Sequence, residues 1–541
     1  MTGSAPQHQH QQPDAFTVRD AVIDFARRVG MTSIFANPGS TELPMFRDFP
    51  ADFRYVLGLQ EAVVVGMADG YAQATGNAAL VNLHSAAGVG NAMGNIFTAF
   101  RNRTPLVVTA GQQARSILPY DPFLAATQAT ELPRPYVKWS IEPARAQDVP
   151  LAIARAYAIA MQEPRGPVFV SIPVDDWDQR AERVPERALA HTTRPEPAML
   201  ERIGAALDAC ARPAFVVGGA VDRAGGADDV VWLAERHRAR VYVAPMTGRC
   251  SFPEKHPQFA GFLPAMRERI VERLGGHDLV FAIGAPAFTY HVEGHGPHVP
   301  PGAVLCQLTD DPGTAAWTPE GMAAVGNVRL GVLDLLARPA PVIERAMPAR
   351  RAVPPRASAP AGPGERMSVA YALQTLAAVR DAGTTVVEEA PSSRPVMQTY
   401  LPFERPGTFF TMDSGGLGYG MPAAVGVALA RPGQRVIALI GDGSSMYSIQ
   451  AIWSAVQLGL PITFVILNNT RYAALRDFAP VFGFKPTDPV QGTDLPGLDF
   501  VALAAGMGCP GVRVSEAARL RDTLDAALAG QGPMLVETIV A

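Results

Sequence analysis

Residues 435–474 constrain the fold of this chain more than any other stretch. They read RVIALIGDGSSMYSIQAIWSAVQLGLPITFVILNNTRYAA. An apolar run, 436–440, feeds a Gly441-Asp442-Gly443 turn. A helical pattern covers 448–458, and a second apolar run, 462–467, ends on Asn468-Asn469. Two short apolar runs bracketing a helix predict a βαβ unit and hence a parallel sheet. In such sheets the ligand crevice opens beyond the carboxyl ends of the strands. Asp442 and Asn469 both fall just past strand ends, so the pattern predicts that they meet. A carboxylate and an amide oxygen are hard ligands suited to Mg2+ or Ca2+, and Mg2+ is usually held by one or two protein oxygens plus phosphates. Gly441 and Gly443 let the backbone approach a phosphate, and Ser444 with the following helix start offers donors. The pattern points to a cation-bridged diphosphate; a tight turn with an aspartate helix cap is the plainer alternative.

The same alternation runs along the rest of the chain. A helix over 17–30 leads to a strand at 33–36, which ends in Asn37-Pro38-Gly39-Ser40. Further strands are predicted at 55–59, 79–83, 106–110 and 168–172, with helices at 61–74, 90–101 and 149–161 between them. A polar, proline-bearing passage at 186–197 reads as a linker. A second alternation has strands at 214–217, 241–244, 279–283 and 304–308 and a helix at 228–237. Residues 337–365 are rich in Pro, Ala and Arg without an apolar period, which predicts a long exposed connection. A third alternation starts with a helix at 368–379 and a strand at 385–388, and finishes with a helix at 515–528 and a strand at 534–539. The expected architecture is α/β, with three doubly wound parallel-sheet domains at 15–190, 198–337 and 367–541, a connecting segment at 338–366 and a disordered tail at 1–14.

Composition narrows the partners. At 541 residues the chain is too long for one core. A net charge of -4 gives no reason to expect nucleic acid or an anionic membrane as partner. No run reaches the length of a membrane span. The opening MTGSAPQHQHQQPD is polar and lacks a signal-peptide core. His8 and His10 read as part of a solvated tail. Cys210, Cys250, Cys306 and Cys509 are far apart and form no CxxC pair, which points to buried thiols in a reducing compartment. A cytoplasmic protein is expected.

At this point a resemblance emerges. The GDG and NN pair at this spacing resembles the cofactor signature of thiamine diphosphate enzymes. The segments NPGSTELP (37–44), DFRYVLGLQEA (52–62), NLHSAAGVGNAMG (82–94), GAPAFTYH (284–291) and GGLGYGMPAA (415–424) extend the likeness over nearly the whole chain after the tail. Together they resemble the thiamine diphosphate-dependent 2-oxo acid decarboxylase family, and within it the benzoylformate decarboxylase branch. The resemblance implies three domains that bind the pyrimidine end of the cofactor, play a mainly structural part, and bind the diphosphate. It also implies thiamine diphosphate with Mg2+ (or Ca2+), and a site between the first domain of one subunit and the third of another. A homo-oligomer follows, at least a dimer and commonly a tetramer.

The resemblance also implies roles. Glu61 would hydrogen-bond the aminopyrimidine ring, favouring the tautomer that removes the thiazolium C2 proton; by itself a glutamate at a helix start complements the helix dipole. Ser40 would meet the substrate carboxylate, and His84 and His291 would transfer protons, work suited to an imidazole. Many family members carry adjacent histidines; here residue 85 is Ser, which favours the benzoylformate branch. Asn37, Pro38, Gly39, Ser392, Gly415, Gly441, Asp442, Gly443, Ser444, Tyr447, Asn469, Tyr472 and Ala473 would contact the cofactor, with Leu417 wedged between its rings. The cation would be held by Asp442, Asn469 and the main-chain carbonyl of Arg471.

Departures mark where the chain differs. It has NNTRYAA where the resembled sequences have NNGTYGA, so Arg471 brings a charge near the diphosphate. Pro391 takes the place of a hydroxyl beside Ser392. Phe123, Leu124, Ala474, Leu475 and Phe478 would line an apolar pocket fit for an aromatic ring. Near it, Thr411 and Asp477 each replace an aromatic residue, and 482–492 is longer. The implied reaction is non-oxidative decarboxylation of a small-molecule aromatic 2-oxo acid: benzoylformate to benzaldehyde and carbon dioxide, through a thiamine diphosphate enamine. Mandelate catabolism and aldehyde carboligation accompany that activity. Three alternatives stay open: a flavin-containing relative of the acetolactate synthase or pyruvate oxidase type, suggested by Gly218-Gly219-Ala220 and Gly225-Gly226; a decarboxylase for another 2-oxo acid; and a non-catalytic relative.

Overall fold

The computed structural model describes residues 16–360, 362 and 364–541. The expected tail therefore lies outside the described residues. Among the described residues, eighteen strands form three six-stranded sheets, and every strand pairing within them is parallel. The first sheet holds β1 (Ser33–Asn37), β2 (Arg54–Leu57), β3 (Ala79–Leu83), β4 (Leu106–Gln112), β5 (Ser140–Ile141) and β6 (Val168–Pro173), in the order β2-β1-β3-β4-β6-β5. The second holds β7 (Pro213–Val217), β8 (Arg240–Val243), β9 (Phe259–Phe262), β10 (Leu279–Ile283), β11 (Val304–Thr309) and β12 (Met322–Val325), in the order β12-β11-β10-β7-β8-β9. The third holds β13 (Thr385–Glu389), β14 (Phe409–Thr411), β15 (Val436–Gly441), β16 (Ile462–Asn468), β17 (Gly511–Val514) and β18 (Met534–Ile539), in the order β14-β13-β15-β16-β18-β17.

The first and third sheets thus repeat one topology on different sequences. The middle sheet has the strand order of a dinucleotide-binding fold. Central strands such as β15 and β16 are buried on both faces, which is why they read as continuous apolar runs rather than alternating ones.

Two helices join the first and third sheets: Glu61–Thr75 and Gly420–Ala430. Both are largely apolar around their circumference, as a helix buried on all sides must be. Small residues set their approach. A Cβ at Gly70 would come within 2.1 Å of the Ala423 carbonyl oxygen, and one at Gly426 within 1.9 Å of the Met67 carbonyl oxygen. One hydrophobic core therefore runs through both domains.

Among its described residues the connection at 338–366 has no helix or strand and is mostly exposed, yet it is pinned at two points. Arg345 is buried; its Nε and Nη2 donate to the carbonyls of Cys210 (3.0 Å) and Leu207 (2.8 Å), closing the end of the helix Pro197–Ala209. Arg338 pairs with Glu201 and Asp208 on the same helix. The arginines that made this stretch look solvated are its anchors, because a guanidinium satisfies several carbonyls at once.

Candidate functional site

The site residues collect at the carboxyl ends of the strands. In the first domain, β1 ends on Asn37, whose Nδ2 donates to the Gly58 carbonyl at 2.8 Å. The turn Pro38-Gly39-Ser40 follows, with Ser40 exposed. Gly39 is required by contact: a Cβ there would stand 2.2 Å from Nδ1 of His84. His84 follows β3 and caps the helix Ser85–Arg101. Beneath it lies Glu42, which is 1% exposed and so shut from solvent. Its Oε2 takes the His84 Nδ1 at 2.9 Å and the Gly39 amide at 2.8 Å, and its Oε1 accepts from Thr41 Oγ1 and the Gly111 amide. A carboxylate facing Nδ1 places the proton there and leaves Nε2 turned outward. Glu42 escaped the sequence reading. The available signal was its position: an acid inside the turn motif NPGSTELP, beside no residue it could pair with locally.

Glu61 opens its helix at the end of the β2 loop. Gln60 caps the helix, accepting from the Ala62 amide at 2.6 Å, so the Glu61 carboxyl is free of that duty. Asn91 donates to Glu61 Oε2 at 3.1 Å, and Glu61 Cγ packs against the first turn of the helix that His84 caps.

In the third domain, β15 and β16 lie side by side, with Gly441 in register with Leu467. Asp442 and Asn469 meet as expected: the Arg471 amide donates to both Asp442 Oδ2 and Asn469 Oδ1, each at 3.1 Å. Asp442 Oδ1 takes the Gly443 amide at 2.8 Å. The carboxyl is buried, and burial pushes its pKa above the usual carboxylate value. No basic side chain forms an ion pair with it among the described residues. A buried carboxylate with only amides for company, beside an amide oxygen, fits a hard cation. Tyr472 packs against Gly443, where a Cβ would stand 2.2 Å from its ring; Ala473 starts the next helix. Ser444 is buried just beyond the turn, and Tyr447 is exposed. Ser392 sits between β13 and the helix Arg394–Tyr400, and Ala390 reaches 3.7 Å from the space beside Gly441.

Leu417 rides on a turn held from below. Gly415 and Gly418 have φ of +74° and +100°, values that favour glycine. Glu389, at the end of β13, accepts from the amides of Gly418 (2.7 Å) and Gly420 (2.5 Å). Burial raises its pKa to about 7, against those donors. Glu389 was also missed: it lies one residue past the strand predicted at 385–388, next to a second acid, with nothing local to mark its role. The other, Glu388, pairs with Arg394, which also reaches Thr411 Oγ1. Thr411 is buried in this polar cluster, so its side chain answers to Arg394.

His291 stacks on Phe478, with ring centroids 4.5 Å apart and planes 18° from parallel. Phe482 meets the other side of Phe478 edge-on. Ala474 and Leu475 lie on the same short helix as Phe478, Ala473–Phe478. Phe123 and Leu124 lie on the first domain, Phe123 almost fully exposed. Among the described residues, no hydrogen bond, ion pair or ring contact connects Ser40, Glu61, His84, Phe123 or Leu124 with Asp442, Asn469, His291 or Phe478.

With this geometry in hand, the comparisons define the class. Three family models match: thiamine pyrophosphate enzyme, N-terminal TPP binding domain, at residues 16–131; central domain, at 200–336; and C-terminal TPP binding domain, at 392–538. The chain belongs to the thiamine pyrophosphate enzyme family, and its cofactor is thiamine diphosphate. It is similar to benzoylformate decarboxylase of Pseudomonas aeruginosa, with 45% identity covering 96% of this chain and 98% of the relative. It is also similar to the solved structures of a 4-hydroxybenzoylformate decarboxylase of Rhodococcus jostii RHA1 (39% identity, TM-score 0.92, covering 97% of this chain and 99% of that one) and a benzoylformate decarboxylase of Polynucleobacter necessarius (37%, TM-score 0.91, 97% and 98%). A more distant match is an acetolactate synthase large subunit of Escherichia coli, isozyme 3, at 28% identity over 92% of this chain and 90% of the relative. The chain is thus a carboxy-lyase of the benzoylformate decarboxylase type, acting on a 2-oxo acid. Among the described residues no helix is long and apolar enough to cross a membrane.

Proposed function

We propose that the protein decarboxylates an aromatic 2-oxo acid, benzoylformate or a ring-substituted analogue, to the aldehyde and carbon dioxide. The observation that carries this reading is His291 laid flat on Phe478. It sets an imidazole edge at the rim of an apolar wall, where an aryl ring packs and a proton is needed.

When bound, thiamine diphosphate supplies a carbanion for the ketone and a sink for the electrons that the departing carbon dioxide leaves behind. The chain supplies the rest. Asp442 and Asn469, with the Arg471 carbonyl, would hold a Mg2+ or Ca2+ ion beside the diphosphate. Leu417 would pack against the cofactor's rings. Glu61 offers its Oε1 to the pyrimidine ring, since Oε2 is engaged by Asn91. His84 presents Nε2 for proton transfer because Glu42 occupies Nδ1, and Ser40 stands where the substrate carboxylate is received. Phe123, Leu124, Ala474, Leu475 and Phe478 would line the site in the assembled enzyme and exclude water there, which favours a step that loses charge. The likeness to enzymes whose site lies between the first domain of one subunit and the third of another supports a homodimer at least, commonly a tetramer.

A flavin-bearing alternative finds little support. The crevice beside β7 and β10 is filled by main chain: the Ala220 amide donates to the Gly284 carbonyl at 3.1 Å, and a Cβ on Gly218 would strike Ala285 at 2.5 Å. A colourless purified protein is expected.

The test is carbon dioxide release from a panel of aryl and alkyl 2-oxo acids with thiamine diphosphate and Mg2+ added. Benzoylformate or 4-hydroxybenzoylformate should turn over faster than pyruvate; the reverse order overturns the substrate assignment.

A further inference from the structure

The turn that carries Asn469 and Arg471 is strained. Thr470 has φ of +62°, in the left-handed region, where a β-branched residue is a genuine outlier. Such a conformation persists only where its surroundings over-determine it. They do so here from two sides. From below, the Thr470 amide donates to Asn468 Oδ1 at 2.9 Å. Asn468 is fixed in turn by Glu537, which is buried and takes its Nδ2 at 2.7 Å.

From above comes the extended segment that follows the helix Ala473–Phe478. It folds back over the turn and pairs with it as a short antiparallel bridge, Arg471 with Asp494. The Leu495 amide donates to the Thr470 carbonyl at 2.9 Å, and the Tyr472 amide to the Thr493 carbonyl at 2.8 Å. These two bonds flank Arg471, whose own amide serves Asp442 and Asn469. Arg476 ties the strap down: its Nε donates to Thr493 Oγ1 at 2.9 Å and its Nη2 to Asp494 Oδ1 at 2.6 Å. Thr493 is buried, although most of the strap around it is exposed.

We propose that Thr493–Asp494–Leu495, anchored by Arg476, is a main-chain clamp that holds the Asn469–Tyr472 turn in its strained form and thereby sets the affinity of the cation site. Arg476 is then a positioning residue. The inference rests on the cation site proposed above. Its logic is that of a competent fraction: a clamped turn is always competent, whereas a released turn with Thr at position 470 relaxes to negative φ and weakens apparent binding in proportion. Glycine at 470 populates positive φ without the steric penalty, so it lowers the need for a clamp.

The experiment titrates Mg2+ into the full-length protein saturated with thiamine diphosphate, by calorimetry, in a double-mutant cycle. Arg476→Met should raise the apparent Kd about tenfold, the scale of a left-handed penalty for a non-glycine residue. Thr470→Gly alone should leave Kd within about twofold, and added to Arg476→Met it should restore most of the loss. General loosening of the loop would not be relieved by glycine, so the rescue is the discriminating readout. The clamp is overturned if Arg476→Met leaves Kd unchanged, or if Thr470→Gly fails to rescue it. Should the unaltered protein bind no Mg2+ in the presence of the cofactor, the cation site itself falls, and the clamp with it.

Discussion

Single residues in this protein do their work through what lies behind them. His84 matters as an imidazole, but Glu42 decides which nitrogen it offers. Glu42→Gln removes the negative charge while keeping the shape. The amide can then turn its NH2 toward Nδ1, which removes the acceptor that sets the His84 tautomer. Turnover should fall roughly 10²-fold, the usual scale for a mispositioned acid or base, with KM changing little. Measuring kcat and KM for the variant beside the unaltered protein checks this; unchanged turnover would show that Glu42 only supports the turn. The Glu42–His84 pair was illegible in sequence because 41 residues separate the two positions in the chain. The histidine itself was legible from its motif.

Elements carry the spacing of the two halves. The helices Glu61–Thr75 and Gly420–Ala430 come together over Gly66, Gly70 and Gly426, and their backbones nearly touch. Gly426→Val would drive a side chain into the Met67 carbonyl and the Tyr71 amide. Neither helix can yield without moving a sheet, so the substitution should cost at least about 3 kcal/mol, at the upper end of overpacking effects. Urea unfolding checks it; a loss below 1 kcal/mol would mean the helices part easily. The first helix was visible in the sequence from its apolar run; the second was not assigned there, its start being read only as part of a glycine-rich motif. Their partnership was not visible, because a helix that is apolar all round states that it is buried without stating against what.

The whole molecule is held at junctions where buried polar groups meet. Arg249 of the middle domain pairs with Asp222, reaches Gln73 of the first domain and lies over Phe410 of the third. Glu254 sits where the middle domain meets the third, its amide bonded to the Phe403 carbonyl at 2.9 Å. Part of the residue reaches solvent, but its Oε2 is shut off and has no hydrogen-bond partner among the described residues. Burial raises its pKa to about 8, and Arg351 and Arg380 offset this only in part. A folded-state pKa above the unfolded one means the native protein holds a proton that the unfolded chain releases. The stability linked to Glu254 is therefore full below about pH 4.5 and is lost as pH rises to about 8. Burial raises the Asp69 pKa to about 6, which adds a loss in the same direction. Thermal melting from pH 5 to 8.5 should show the decline, and Glu254→Gln should flatten it; a variant that steepens the slope would reverse the sign argued here.

Assembly belongs to the same scale. Glu61→Gln and Asp442→Asn should each abolish activity alone. If the first domain of one subunit completes the third domain of another, a mixed dimer carries both lesions in one site and none in the other. Reassociating the two inactive proteins should then restore about a quarter of full activity, from random pairing with one sound site in each mixed dimer. Failure to restore activity in dimers shown to be mixed would place the site within one chain.

What the amino-acid order determined by itself is local and periodic: strands and helices from apolar spacing, the turns that end them, and the residue types those turns carry. From these came three α/β units and the meeting of Asp442 with Asn469, since neighbouring parallel strands bring their ends together whatever else happens. Only the tertiary structure decided what stands behind each turn. Glu42 under His84, Glu389 under Leu417 and the Thr493–Leu495 strap over Thr470 are contacts between distant segments. Their partners are chosen by how sheets and helices pack, and packing leaves no period in the sequence to read.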